Sequence, residues 1–261
     1  MRRCFFAGHR PRGGFRPPGP GRSAVAVLAV LCTFGVAGFA FPHNYLAEPE
    51  QGEVTTIPDI SVSRAAYRSL DAPGQMDMYR FTAEKGQEIY LSMTVPRLEE
   101  LRSFAPAVAL IARDTAMDPS AVKSALRCSL LSPDELAPRL SSSLPPGRSL
   151  VFVPQGTREA FHEPFTGTHY WKLQEATVIA PAAGEYLLAV FSPGGETGKY
   201  VLAPGRREQF SLGDILALPA VRISVRRFMG EPVWGDYLFW SVLGVAAAAG
   251  LTYGIIALAG R

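Results

Sequence analysis

Apolar and polar positions alternate with a period of two through the middle of the chain. The clearest stretch is 71–96. Its first arm carries Asp77, Tyr79 and Phe81, its second Ile89, Leu91, Met93 and Val95, and a polar, glycine-containing turn at 83–87 joins them. Period two with one apolar face predicts strands that cover a core on one side, and the short turn predicts a β-hairpin. Edge strands are expected at 54–57 and 60–66. Further strands are expected at 67–70, 105–112, 150–153, 170–173, 176–179, 185–191 and 199–202. Within 185–191 both faces are apolar, which predicts a central strand covered on both sides. The glycine-rich run 192–198 reads as a hairpin turn leading into Tyr200. Short strands at this spacing, punctuated by Pro and Gly, indicate a β-sandwich.

Two segments break the alternation. Between 115 and 147, Asp118 stands before Pro119, and Ser132 before Pro133 with Glu135 completing a capping-box spacing. These signals predict two short helices inserted between strands, with Cys128 in the first. Farther on, Ser211 is placed to cap a helix at 212–218. A second helical stretch, 220–229, sets Val221, Val225 and Phe228 against Arg222, Arg226 and Arg227. That pattern suits either a helix lying in lipid headgroups or a packed segment covering the open end of the sandwich.

The ends of the chain differ in kind from its middle. Residues 23–41 and 237–260 are uncharged and mostly apolar, each about long enough to cross a hydrocarbon core of roughly 30 Å. Trp234, Tyr237 and Trp240 resemble an interfacial aromatic belt. The first 22 residues hold six arginines and no acid, and removing them turns the net charge from +3 to −3. No global basic footprint for nucleic acid is left, and the leader favours a cytoplasmic N-terminus. Residues 23–41 read as a signal core cleaved near Ala40 or as an uncleaved anchor; the length of the run and Pro42 favour the anchor. Cys4, Cys32 and Cys128 fall in three different regions, so no disulfide braces the middle domain.

The residues Gly74, Asp77, Tyr79, Phe81 and Gly86, together with Gly184, Tyr186, Val190, Gly195, Gly198 and Tyr200, resemble the opening and closing halves of bacterial pre-peptidase C-terminal domains. That resemblance covers about a quarter of the extracytoplasmic part. It implies a jelly-roll-like sandwich, an exported location and a binding or accessory role, and it implies no activity. The expected architecture is therefore all-β. A jelly-roll-like β-sandwich at 42–210, with a short helical insertion, follows a disordered leader at 1–22 and the segment 23–41. A membrane-proximal segment at 211–236 and a transmembrane helix at 237–260 complete it. The expected location is the cell (inner) membrane, with the main domain periplasmic.

The chain has no nucleophile elbow, zinc-protease helix, phosphate loop or dinucleotide fingerprint, so neither a catalytic residue nor a cofactor is expected. The densest polar and aromatic cluster is 159–171, read as a loop. Its candidate binding residues are Glu163, Phe165, Thr166, His169, Tyr170 and Trp171, with Phe161 beside them. Aromatic rings with polar handles suit a partly wet contact with carbohydrate or peptide; the plainer reading folds Phe165, Tyr170 and Trp171 into the core. His162, Glu163 and His169 match no established ligand spacing and lack a third nitrogen or sulfur donor, so no metal is expected. Calcium on Asp71, Asp77 or Glu163 is chemically open, but turn-capping roles for these carboxylates are simpler. In the last helix Ala246, Gly250 and Gly254 share one face, a stripe through which another helix could pack closely. The best-supported function is a membrane-anchored binding or accessory module of the cell envelope. Its rivals are a surface hydrolase working through 159–171 and a small subunit of a membrane complex. The expected partners are the membrane and a protein met through the last helix or the sandwich.

Overall fold

The computed structural model describes residues 44–46, 54–132, 144 and 148–259. The expected first span, the leader and most of the second inserted helix lie outside them. Described residues up to Leu238 belong to one compact unit.

Thirteen strands are described: β1 (Asn44–Tyr45), β2 (Thr55–Thr56), β3 (Arg64–Leu70), β4 (Met76–Ala83), β5 (Glu88–Pro96), β6 (Ala107–Ala112), β7 (Val122–Leu126), β8 (Cys128–Leu131), β9 (Ser149–Pro154), β10 (Glu159–Glu163), β11 (Thr168–Ile179), β12 (Gly184–Phe191) and β13 (Gly198–Pro204). They form a seven-stranded sheet ordered β1-β3-β13-β5-β11-β10, with β7 on β11, and a six-stranded sheet ordered β2-β4-β12-β6-β9-β8. The two sheets enclose one core, so the fold is a β-sandwich. Tyr79, Phe81, Tyr186, Leu188 and Val190 from one sheet meet Ile89, Leu91, Met93, Val178, Tyr200 and Leu202 from the other.

The expected hairpin at 71–96 is instead an arch. β4 pairs with β12 and β2, while β5 pairs with β11 and β13, so consecutive strands lie in opposite sheets. Period-two alternation fits both cases, because it fixes which face is apolar and not whether two apolar faces lie side by side or face each other. The turn at 84–87 uses Gly86 at φ +82°, and it is tied to the next arch by Gly86 N–H donating to Ala180 O at 2.8 Å. The glycine-rich run after β12 likewise crosses between sheets. At its end Gly198 passes so close to Phe104 that a Cβ would stand 2.8 Å from the ring.

The insertion is mostly strand. A single 3-10 turn, Pro119–Ala121, is capped by the Asp118 carboxylate, which accepts from Ser120 N–H at 2.7 Å. The chain then adds β7 to the free side of β11 and, through Arg127 at φ 58°, switches sheet into β8. Cys128 is therefore in a strand, half-buried against the core. The cap signal was real but local. An open sheet edge offered the following residues backbone partners that a short exposed helix could not match.

Both outer faces carry a cover. On the six-stranded sheet Ala107, Ala109, Ile111, Val151, Ala189 and Phe191 pack with Leu144, so β12 is covered on both sides, as its sequence predicted. On the seven-stranded sheet Ala65, Tyr67, Tyr170 and Val201 pack under Val221, Val225 and Phe228 of α1 (Leu212–Phe228) and its C-cap residue Met229. This helix is continuous through Pro219 where two helices were expected. Ser211 and Asp214 close a capping box at its start. α2 (Trp234–Ala259) follows, and from Trp234 to Ile256 it is by length and composition apolar enough to cross a membrane.

Candidate functional site

The cluster 159–171 is a hairpin of β10 and β11, not a loop. Register pairs Glu159 with Lys172, Ala160 with Trp171, Phe161 with Tyr170, His162 with His169 and Glu163 with Thr168. Neighbouring residues of a strand point to opposite faces, so the aromatic residues cannot form one platform. Phe161 and Tyr170 share one face, with ring centroids 6.4 Å apart. Trp171 lies on the other face, partly buried against the core beneath the Arg158 guanidinium at 5.4 Å.

Most of the candidate residues build the hairpin. The Glu163 carboxylate accepts from Phe165 N–H at 2.9 Å and Thr166 N–H at 2.7 Å, and also from the Thr166 hydroxyl. Thr166 and Thr168 are buried and joined at 2.6 Å, and Thr168 donates to the Tyr170 hydroxyl at 3.0 Å. Burial of Tyr170 beneath α1 pushes its phenol up to about 12. Phe165 is half-buried, its ring centroid 6.0 Å from the Arg222 guanidinium carbon. His169 is exposed, as are His162 and, at 36%, Phe161. The other carboxylates once open to calcium are also engaged. Asp77 accepts from Tyr200 and Gln75, and Asp71 from Ser69.

Residues outside the cluster fix its position. Arg127 spans from Glu159 at 2.8 Å to Glu175 at 2.6 Å, joining the hairpin to the junction of β7 and β8. Arg226 of α1 donates to Thr166 O at 2.9 Å. It also donates to Pro232 O at 3.3 Å, and pairs with Glu231 at 2.9 Å and Asp236 at 3.0 Å. Asp236 is itself buried and pairs with Arg222 at 2.6 Å. One guanidinium thus ties the hairpin turn to the first turn of α2. Nothing local in the sequence reveals this, since Arg226 and Thr166 are 60 residues apart. α1 itself packs on a sheet face rather than over the open end of the sandwich, and its first turns leave Ile215 and Leu216 exposed. On α2, a Cβ built at Gly250 or Gly254 meets nothing within 4 Å.

No family model matches the chain, and no curated protein matches it. Among solved structures it is similar to PliG of Aeromonas hydrophila, a periplasmic inhibitor of g-type lysozyme, at 14% identity over 58% of this chain and 95% of that one, with a TM-score of 0.29. PliG of Salmonella Typhimurium, of the same description, matches at 15% identity over 62% and 96%, with a TM-score of 0.27. CorA, a surface-associated copper-binding protein of Methylomicrobium album BG8, matches at 8% identity over 59% and 98%, with a TM-score of 0.30. Likenesses of this size bear on neither the partner nor the chemistry of this chain.

Proposed function

We propose that the chain is a membrane-anchored binding or accessory module of the cell envelope. Its jelly-roll-like sandwich, distantly related to pre-peptidase C-terminal domains, would be held outside the cytoplasm between residues 23–41 and α2. The observation that carries this reading is the Arg226 clamp. It joins the hairpin turn to α1 and to Asp236, so the hairpin's exposed strand, β10, is offered from a turn that is itself anchored. The engagement of Glu163 within its own turn supports a binding surface over the hydrolase alternative, which needs that carboxylate free. Six arginines before the first span, against three before the second, support placing both termini in the cytoplasm.

Two measurements test the proposal. Protease added to intact spheroplasts should digest the sandwich, and full protection would reverse the topology. A photo-crosslinking residue at Phe161 should give a discrete adduct in cells that the same probe at Thr82, on the other sheet, does not. Identical patterns at the two positions would remove β10 as the contact.

A further inference from the structure

We infer that His162 and His169 form a two-imidazole site for a late first-row divalent metal ion. Their spacing in the chain hides this, because seven residues match no ligand pattern. The hairpin removes that separation by setting them directly opposite on β10 and β11, with ring centroids 4.7 Å apart and planes at 38°. A metal bound at about 2.0–2.1 Å from an imidazole nitrogen lies about 3.2 Å from that ring's centroid. Two rings on one ion then stand about 4.5 Å apart at a right angle and about 5.2 Å apart at a tetrahedral one. The observed separation falls between these values. Both side chains are exposed, and among the described residues neither ring is held by a hydrogen bond or an ion pair. Small rotations can therefore aim a nitrogen from each ring at one point.

The backbone beneath them is already fixed. Glu163 closes the turn, Arg226 holds Thr166 O, and Arg97 N–H donates to His169 O at 2.9 Å. Pre-organised imidazole pairs suit zinc, copper and nickel rather than magnesium or calcium. Glu163 is engaged and supplies no third donor, so the remaining positions go to water. They stay open to a donor from outside the chain. The site rests on hairpin geometry alone and stands or falls independently of the proposed role in the envelope.

The test titrates full-length protein in detergent micelles with nickel chloride, following both heat and tryptophan fluorescence. Trp171 shares the strand face of His169 two residues on, about 7 Å away, close enough for bound nickel to quench it. Wild type should bind one equivalent that both His162→Ala and His169→Ala weaken at least about tenfold, since one imidazole cannot chelate. Quenching should disappear in both variants and in Trp171→Phe, with circular dichroism unchanged. His9, His43 and the cysteines are common to every variant and cancel in the difference. Equal titrations in wild type and in a variant carrying both His162→Ala and His169→Ala would overturn the site, and so would a loss confined to one of the two single variants.

Discussion

The hydroxyls of Tyr79 and Tyr200 meet 2.8 Å apart across the sandwich, one from each sheet, and Tyr200 donates onward to Asp77 at 2.6 Å. Both rings are fully buried, so the polar chain crosses the core with its groups satisfied. Tyr200→Phe removes its middle link and should cost about 1–3 kcal/mol. Tyr79→Phe leaves the bond to Asp77 intact and should cost less. Urea unfolding of both variants gives the comparison; the reverse order would mean that the Tyr79 hydroxyl contributes more through its contact with Arg68 than Tyr200 does through Asp77.

Burial raises the phenols of Tyr79, Tyr170 and Tyr200. The native chain therefore keeps protons that an unfolded chain releases near pH 10, and the stability they confer is complete below that pH. It is lost as pH rises towards the native value of Tyr170, about 12. That residue alone accounts for roughly 2–3 kcal/mol. Tyrosinate absorbance from these residues should appear together with loss of the β-sheet circular dichroism. Full ionisation near pH 10 with the sheet signal intact would contradict it.

Phe81 is buried and stacked on Tyr186 with ring centroids 5.7 Å apart. Phe81→Ala should cost about 3–5 kcal/mol, a large part of a domain stability of about 5–15 kcal/mol. A denaturation midpoint that scarcely moves would place this ring outside the cooperative core.

Arg226→Met removes the bond to Thr166 O and leaves Asp236 with Arg222 as its remaining ion-pair partner. The expected cost is about 2–4 kcal/mol, with faster proteolysis at residues 164–167 than elsewhere. Arg226→Lys should not restore the wild type, because a single ammonium lacks the planar fork that reaches four acceptors. Uniform protease sensitivity across the sandwich would argue that Arg226 supports global stability rather than the hairpin turn.

The small-residue stripe of α2 gives a further expectation. Gly250→Ile and Gly254→Ile should lower self-association or partner crosslinking of the full-length chain in membranes, since a bulky side chain keeps a second backbone at a distance. Unchanged crosslinking in both would remove the stripe as a packing face.

What the sequence made legible was facing, and what it left hidden was pairing. Tyr79, Phe81, Ile89, Leu91 and Tyr186 announce their burial through simple alternation, and β12 announces its two covered faces. The pairing of β4 with β12, and of β5 with β11 and β13, is set by contacts more than seventy residues away, beyond the reach of any local pattern. The same holds for the hairpin. Tyr170 and Trp171 were recognisable as aromatic neighbours, but treating 159–171 as a loop hid that a strand must send them to opposite sides. Thr166 gave no signal of burial, because the helix that buries it lies 60 residues away.

The arches also set an order of events when the chain is made. Met76 of β4 meets its partner at Phe191, and Ala83 meets Gly184. As the polypeptide emerges from its N-terminal end, β4 and β5 appear early and wait about a hundred residues for the strands that complete their sheets. Until then they present unpaired backbone and a bare apolar face, the condition most open to misassembly. A chaperone that holds this nascent segment, or a pause before residue 184, would therefore change the yield of folded protein without changing its final stability.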